Sequence, residues 1–204
     1  MQAQVHAQPT LSRADRDFLL LEPIEAHVPT EYLVKSAVDP WEQRDAARLR
    51  RAVFCHEQGI FVGDDRDEID DVATTLVAAS CIAGIPDQVV GTVRIHESEP
   101  GVWFGSRLAV HVAFRRVSRI GAALIRLAVG TAHALGCETF LAHVQSQNAP
   151  MFERLHWRTL EQVMLHGRPH HFMQADLAHY PPIDDPVAGL ILTSATAANC
   201  RGAA

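Results

Sequence analysis

The chain has 204 residues, of which 48% are hydrophobic and 21% charged, proportions that predict one folded globular domain. Its formal net charge of -6 argues against a general affinity for nucleic acid or for anionic membranes, since both require a basic surface. The four cysteines are scattered without a C-x-x-C pair, and no apolar run reaches the ~20 residues that span a bilayer, so we expect a cytoplasmic protein with no nucleic-acid and no membrane partner.

The predicted elements alternate between strands and helices along a single domain. We expect that domain over residues 29–181, between an N-terminal arm at 1–28 and a C-terminal tail at 182–204. In chain order the pattern predicts a strand at 31–37, a helix from 40 to about 59, strands at 73–83, 88–96 and 102–110, a helix at 118–135, a strand at 139–144, a helix at 150–155, and strands at 159–164 and 171–177. This order predicts an α/β fold in which helices flank a mixed sheet.

The third predicted strand carries apolar and charged side chains on opposite faces. Alternation places Val89, Val93 and Ile95 on one face and Arg94 on the other. An acidic run precedes the second strand, and it is either a solvated loop or a group that attracts an amine. We expect Arg94 to pair with one of these acids. It lies with Asp70 at a substrate site or forms a plain surface pair worth about 1 kcal/mol or less.

Basic residues stand between the fourth predicted strand and the second predicted helix. Arg115 and Arg116 lie in the loop, Ser118 is available as the N-cap, and Arg119 follows. The unpaired N–H groups and partial positive charge of a helix N-terminus bind phosphates, and Gly121 with the two alanines after it leaves the backbone accessible. Basic residues at this end oppose the helix dipole, which favours an anion site over an ordinary buried helix.

The same junction resembles the GNAT superfamily of N-acetyltransferases, which binds the pyrophosphate of acetyl-CoA through a Q/R-x-x-G-x-G/A loop. The matching run is Arg116-Val-Ser-Arg119-Ile-Gly121, in which Arg119 replaces the first glycine of the family pattern. The resemblance implies the GNAT acyl-CoA N-acyltransferase fold, acetyl-CoA as co-substrate, and backbone contacts from the preceding strand to the pantetheine arm. The residues that it implies for this site are Leu108, Ala109, Val110, Arg115, Arg116, Ser118, Arg119, Ile120, Gly121, Ala122 and Ala123.

A second stretch, from Gln147 to Trp157, is similar to the Asn-led helix of the family and its "Y-E-K-L-G-F" ending. The similarity implies that Asn148 hydrogen-bonds the pantetheine. Phe152 stands where many members keep a tyrosine as the general acid for the CoA thiolate, so that role is vacant or has moved. Asn148 and Phe152 complete the implied cofactor site.

Further motifs narrow the resemblance to one subgroup. The helix end Val53-Phe54-Cys-His-Glu57-Gln58 resembles its V-F-x-x-E-Q pattern, and Glu68-Ile-Asp70 resembles its acidic loop. Gly167-Arg-Pro-His170 is similar to its G-x-P-H strand entry. The most specific resemblance is to a GNAT domain found alone or fused to an AIR-synthase-like domain, in bacterial clusters that contain a nitrilase.

Acyl transfer to an amine requires a neutral nucleophile, so a nearby group has to take a proton near neutral pH. Glu57 is the best candidate for a base or substrate anchor, because the subgroup places its acceptor site at that helix end. The alternative is a solvated carboxylate. His143 is expected near the cleft between adjacent strands, either as a proton relay or as a structural histidine. No metal is expected, since His166, His170 and His171 lack a further ligand at zinc-like spacing.

The resemblance and these residues together predict an acyl-CoA-dependent N-acyltransferase with acetyl-CoA as the default donor. It would act by direct transfer on a small amine or amino-acid-like metabolite, the expected partner, and a possible homodimer stays open. One alternative is an acyl-homoserine-lactone-type synthase, a family that shares the fold. The Arg51-x-x-Phe54 motif faintly resembles a motif of that family. The other is a non-catalytic acyl-CoA sensor, which Phe152 and Arg119 suggest.

Overall fold

One sheet organises residues 29–115 and 119–194, the residues that this computed structural model describes. The strands are β1 (Glu31–Ser36), β2 (Thr74–Ile82), β3 (Ile85–Glu99), β4 (Val102–Val110), β5 (Thr139–Gln145), β6 (Trp157–Leu165), β7 (Arg168–Ala175) and β8 (Leu190–Thr193). The helices are α1 (Pro40–Arg51), α2 (Ile120–Ala134) and α3 (Ala149–Arg154). The strand order is β6-β7-β5-β4-β3-β2-β1-β8, and every neighbouring pair is antiparallel except β4 and β5. The predicted α/β fold with a mixed sheet is confirmed.

The two longer helices cover opposite faces of the sheet. α1 packs on a cluster that includes Val77 and Ala109, and α2 packs on a larger cluster that includes Leu76 and Ile95. We call these sides the α1 face and the α2 face. Within the described ranges, no helix is both long enough and apolar enough to cross a membrane.

α1 begins at Pro40, as the sequence predicts, because Asp39 and Glu42 form a capping box and proline fits the first helical turn. The buried Glu42 carboxylate accepts hydrogen bonds from the amides of Val38 (3.0 Å) and Asp39 (3.1 Å). Lys35 neutralises it at 2.8 Å. Such a cap stabilises a helix by about 1 kcal/mol.

The end of this helix changes its winding. Wider π-helical turns run over Ala52–Glu57, and the amide of Gln58 donates to the carbonyl of Val53 at 2.9 Å. Insertions of this kind re-aim side chains and recur at functional sites. Here the Gln58 side chain reaches across to β5, where its oxygen accepts a hydrogen bond from Gln145 at 2.8 Å.

α2 is buried nearly all round because it packs against the sheet on one side and against a later segment on the other. A Cβ at Gly91 of β3 would lie 2.7 Å from Ile120, so glycine lets the helix approach the strand closely. On the outer side, the amide of Ile183 donates to the carbonyl of Gly130 at 3.0 Å. The chain after β7 therefore crosses over α2.

That same segment leads to β8, which the sequence analysis placed in a C-terminal tail. β8 pairs antiparallel with β1 from Glu31↔Thr193 to Val34↔Leu190. Gly189 has a φ of +68°, and a Cβ there would lie 2.3 Å from the Val34 carbonyl oxygen, so only glycine allows the strand to begin at this point. The sheet therefore extends beyond the predicted boundary at 181.

A β-bulge changes the face of one predicted residue. The pairing of β3 with β2 shifts by one residue at Val90, and an inserted residue reverses the alternation of the strand. Val89 consequently packs under α1, whereas Val93 and Ile95 pack under α2. The prediction that all three share one face is wrong for Val89.

Candidate active site

β4 and β5 are paired at one end and separated at the other. Their parallel ladder stops at Gly105↔Ala142, although both strands continue. Arg107 lies just beyond this point with a φ of +55°, and the register of β4 against β3 shifts there as well. A bulge bends its strand, so the second half of β4 turns away from β5.

A cavity of about 490 Å³ fills this opening and continues on both sides of the sheet. Ile125, Ala128 and Phe152 line it on the α2 face. Phe61 and His143 line it on the α1 face. Two reactants that enter from opposite faces can therefore meet inside the sheet, which is the positioning that a two-substrate transfer requires.

The backbone of Val110 borders the opening. The amide of His111 donates to the carbonyl of Val90 at 2.8 Å, and this bond marks Gly91 and Val110 as a non-hydrogen-bonded pair of the antiparallel ladder. The N–H and C=O of Val110 therefore point away from β3. The carbonyl accepts a hydrogen bond from Arg115 Nε at 2.9 Å. The amide is left to face the gap.

The other residues predicted for the pantetheine lie around the same gap. Leu108 lines the cavity, while the Ala109 side chain is buried under α1, which leaves only its backbone for a ligand. Asn148 also lines the cavity, and its side chain makes no capping bond to α3. Phe152 is buried and packs edge-on against Trp157 at 5.0 Å. Its ring has no hydroxyl group, so Phe152 cannot act as a general acid.

The start of α2 is only partly described. Arg116 and Ser118 lie outside the described residues. Arg119 is the residue before the first helical turn, and its exposed side chain makes no capping bond. A Cβ at Gly121 would lie 4.0 Å from its nearest neighbour, the side chain of Val110, so the backbone here is uncovered.

Two of the next three residues of the predicted anion site, Ile120 and Ala123, turn toward the core. Ile120 and Ala123 are buried, and Ala122 is half-buried. Their side chains support the packing of α2, so any contact to a phosphate has to come from backbone N–H groups. Phosphate binding by this segment stays a prediction.

Glu57 and Arg115, which the sequence analysis assigned to different tasks, form one bidentate ion pair. Arg115 Nη1 and Nη2 lie 2.8 and 2.7 Å from the two Glu57 carboxylate oxygens. The hydrogen bonds from Arg115 lower the pKa of Glu57, and this effect outweighs the opposite effect of partial burial. A carboxylate with a lowered pKa is a weaker base. The pair therefore suits Glu57 to hold Arg115 beside Val110, and a catalytic role for Glu57 stays a prediction.

Arg94 joins the acidic loop to the sheet. It is 1% exposed and contacts both carboxylate oxygens of Asp67, at 2.5 and 3.1 Å. It also lies 2.8 Å from Asp70 and donates to Ser106 of β4 at 3.0 Å. The alternative of a surface pair is therefore wrong for Arg94. Because Asp70 and Arg94 bind each other, contact of either with a substrate stays a prediction.

Two more arginines join this network, and we call the six residues together the clamp: Arg50, Arg94, Arg107, Asp65, Asp67 and Asp70. Arg50 contacts Asp65 at 2.8 Å and both carboxylate oxygens of Asp70. Arg107 contacts the Asp65 carboxylate at 3.0 Å and its carbonyl at 2.9 Å, and its guanidinium lies 4.5 Å from the centre of the Phe61 ring. Asp65 and Asp70 are buried or nearly so. The expectation of a solvated loop is therefore wrong for these two residues.

Two aspartates of the clamp, Asp67 and Asp70, have a lowered pKa. Hydrogen bonds from Arg94 lower the pKa of Asp67. Burial alone would raise the pKa of Asp70, but hydrogen bonds from Arg50 and from the Asp67 amide, together with two nearby arginine charges, lower it. Three arginines and three aspartates therefore form a closed network with no net charge.

His143 lies on the α1 face of β5 and stacks on Phe172 of β7, with ring centroids 4.8 Å apart. The His143 side chain is exposed, but desolvation by the surrounding residues and the neighbouring His170 lower its pKa, so its imidazole is neutral near pH 7. A neutral imidazole in a cavity is able to accept a proton. The structure thus places His143 where the sequence analysis expected it, and its catalytic role stays a prediction.

The sequence analysis did not name His96 as a site residue. It lines the same cavity from β3 and stacks on Phe104 at 5.9 Å. Burial, with a smaller effect from Arg94, lowers the pKa of His96. The signal was present in the sequence, because alternation places His96 on the same face as Arg94.

The described histidines of the β6–β7 hairpin do not form a metal site. His170 and His171 follow each other on β7, so their side chains point to opposite faces. Across 29–115 and 119–194, no three His, Cys, Asp or Glu side chains are grouped so as to hold a metal ion.

The sequence that forms these split strands and the adjacent helix N-terminus matches a known family. A family model described as "Acetyltransferase (GNAT) family" matches residues 41–157, more than half of the chain. The chain belongs to the GNAT acetyltransferase family. The match runs from the first turn of α1 to the start of β6, and so covers both the clamp and the β4–β5 opening.

Relatives with this fold come from several sources. A "putative acetyltransferase" of Bacillus subtilis (strain 168) is 28% identical over 142 residues, which cover 69% of this chain and 93% of that protein. The structure of a "putative N-acetyltransferase" from Lactobacillus plantarum has a TM-score of 0.62 at 21% identity, covering 71% of this chain and 97% of that one. FeeM, an N-acyl amino acid synthase from uncultured soil microbes, has a TM-score of 0.59 at 14% identity, covering 75% and 94%. These structural matches show the shared GNAT fold, and the fusion to an AIR-synthase-like domain stays a prediction.

Proposed function

We propose that this protein is an acyl-CoA-dependent N-acyltransferase that moves an acetyl group from acetyl-CoA directly to a small amine or amino-acid-like acceptor. The observation that supports this most strongly is the opening between β4 and β5, which connects the two faces of the sheet. A thioester entering along α2 would reach the free amide of Val110. An amine on the α1 face would meet the thioester there.

The donor side uses backbone more than side chains. The Val110 amide would polarise the thioester carbonyl, because a fixed N–H stabilises the charge that develops on that oxygen. The uncovered first turn of α2 would hold the pyrophosphate. The residues proposed for the donor are Leu108, Ala109, Val110, Arg115, Arg116, Ser118, Arg119, Ile120, Gly121, Ala122, Ala123, Asn148 and Phe152.

On the acceptor side, His143 would take the proton of the attacking amine. Its lowered pKa keeps the imidazole unprotonated at neutral pH, and it lines the cavity from the α1 face. Glu57 would not contact the reacting atoms. It would position Arg115, which donates a hydrogen bond to the Val110 carbonyl. Asp70 and Arg94 would shape the acceptor wall through the clamp.

Two glutamine variants test this division of roles. Thiol release from acetyl-CoA is followed across a panel of amines, and CoA affinity is measured by calorimetry. His143→Gln should lower kcat by about 10²-fold or more with unchanged CoA affinity, since glutamine keeps the polar contact but not the basicity. It should also abolish the fall in kcat that the wild type shows as the pH drops through the titration of His143. Glu57→Gln should weaken CoA binding more than it lowers kcat.

The outcomes separate the candidate functions. Unchanged kcat in His143→Gln would remove His143 from the chemistry. Tight CoA binding without thiol release from any amine would favour the non-catalytic sensor. Longer acyl thioesters belong in the donor panel, because the structural neighbour FeeM is an N-acyl amino acid synthase. Adding S-adenosylmethionine and searching for a lactone product tests the synthase alternative.

A further inference from the structure

The part of the cavity on the α1 face is rich in aromatic and imidazole rings, and we call it the acceptor chamber. Its ring residues are Phe54, Phe61, His96, Phe104, His143, His166 and His170. The planes of Phe104 and His143 are inclined by only 23°, and Phe172 lies behind both at 18° and 23°. Phe61 and His166 meet edge-on at 5.1 Å across the opening. The chamber is therefore shaped for a flat, largely apolar group.

The charges that line the chamber are already paired. Among the described residues, its Asp, Glu, Lys and Arg side chains are Asp67, Arg94 and Arg107. Asp67 contacts both arginines, and each arginine has a second aspartate partner. The carboxylate that lines the chamber, Asp67, is thus already paired with two arginines and has no free negative charge for a cationic substrate. A protonated alkylamine would have to leave water without gaining a free counter-ion, which is costly.

Two imidazoles of the chamber have a lowered pKa. The His143 and His96 imidazoles are weak bases because desolvation lowers the pKa of both groups. The Nδ1 atom of His96 is buried and has no hydrogen-bond partner among the described residues. Such a site offers neutral polar contacts to an uncharged amine. It offers little that would first strip a proton from an ammonium ion.

We propose that the acceptor is a weakly basic amine carried on a flat ring, of the arylamine or heteroarylamine class. This inference rests on the proposed acyl transfer. An arylamine is uncharged at neutral pH, so its lone pair attacks the thioester carbonyl carbon directly. The C–N bond forms, the C–S bond breaks, and the electron pair leaves on sulfur. The extra proton on nitrogen passes to the His143 imidazole and then to the thiolate, which gives the amide and free CoA thiol.

Three amines of similar size separate ring shape from basicity. Aniline is flat and weakly basic, benzylamine is flat and strongly basic, and cyclohexylamine is neither flat nor weakly basic. With saturating acetyl-CoA at neutral pH, kcat/KM for aniline should exceed that for cyclohexylamine by about tenfold or more, with benzylamine between them. An equal or higher value for benzylamine or cyclohexylamine overturns the assignment, and so does absence of turnover with aniline.

A chamber variant gives an independent check. Phe104→Leu should raise KM for aniline about threefold to tenfold, because an aliphatic side chain cannot stack on the ring. The matched control is Val62→Ala, whose fully exposed side chain belongs to the same loop as Phe61 but does not line the chamber. It should leave KM unchanged. An unaltered KM in Phe104→Leu, with a wild-type melting temperature, contradicts the proposal.

Calorimetry with CoA alone keeps the two proposals distinct. Absence of CoA binding would contradict the proposed acyltransferase function. A preference for alkylamines together with normal CoA binding would contradict only the proposed acceptor class.

Discussion

Arg94 is the least exposed basic residue in the part of the chain that the structure describes. Its side chain is almost completely inaccessible and lies between Asp67 and Asp70. Transfer of an ion from water to a protein interior costs several kcal/mol, and Arg94 recovers this cost only through its partners. Removing it leaves two carboxylates without their shared counter-ion.

Arg94→Met should therefore lower the free energy of unfolding by about 3 to 5 kcal/mol. The matched control is Arg51→Met, which removes an ion pair with Asp64 whose two side chains are 48% and 51% exposed. That change should cost less than about 1 kcal/mol, because water already screens the pair. Urea denaturation of the three proteins measures both effects. Similar losses in the two variants would show that the clamp adds no more than a surface pair.

The sequence predicted that Arg94 pairs with an acid, but it could not predict which acid or how deeply. Arg107 and Asp65, for example, are 42 residues apart and sit on β4 and in a loop. Charged residues in a run usually remain in water. Only the return of the loop over the β4 bulge brings three arginines within reach of three aspartates, and that path depends on tertiary packing.

At the scale of elements, β8 shows how a short segment can belong to the core without a clear pattern. Leu190 and Leu192 pack against the cluster under α2, whereas Ile191 is 73% exposed. Four residues give too few alternations for the period of a strand to stand out. The strand forms because β1 offers it a free edge and Gly189 permits the close turn.

This asymmetry within β8 yields a matched pair of variants. Leu192→Ala should reduce the free energy of unfolding by about 1 to 2 kcal/mol, since it removes partly buried methyl groups from the core. Ile191→Ala deletes a similar side chain on the exposed side and should stay within about 0.5 kcal/mol of the wild type. Thermal and urea unfolding measure the difference. Equal effects would argue that β8 contributes backbone pairing alone.

Elements and their order could largely be predicted from periodicity, and the junction at α2 from its basic and small residues. The bulges at Val90 and Arg107 could not. Val90 reverses the alternation of β3, and Arg107 separates β4 from β5. Neither bulge residue is itself a glycine, the residue that often marks a bulge inside a strand. The sequence therefore indicated the junction proposed for the donor, while the opening between β4 and β5 depended on Arg107, a non-glycine residue with a positive φ.

For the whole molecule, acid should act on stability in two stages. Desolvation lowers the pKa of His96 and of His143, so the folded protein prefers both imidazoles uncharged. Their contribution is complete above the ordinary histidine pKa of about 6.5 and is lost as the pH falls through their lowered values. Asp67 and Asp70 also have a lowered pKa, so their contribution is present above the ordinary aspartate pKa of about 3.9 and is lost below it.

The free energy of unfolding should therefore be flat between about pH 8 and 7, decline from about pH 6.5 to 5, and decline again below about pH 4. Urea denaturation across this range measures the profile. His96→Gln with His143→Gln should flatten the first decline and leave the second, because glutamine does not titrate. Asp67→Asn should reduce the second decline at the expense of stability at neutral pH, since Arg94 and Arg107 then lose a carboxylate partner. A stability that rises on acidification from pH 7 to 5 would contradict the first stage, because it would require the folded protein to bind protons more tightly than the unfolded chain.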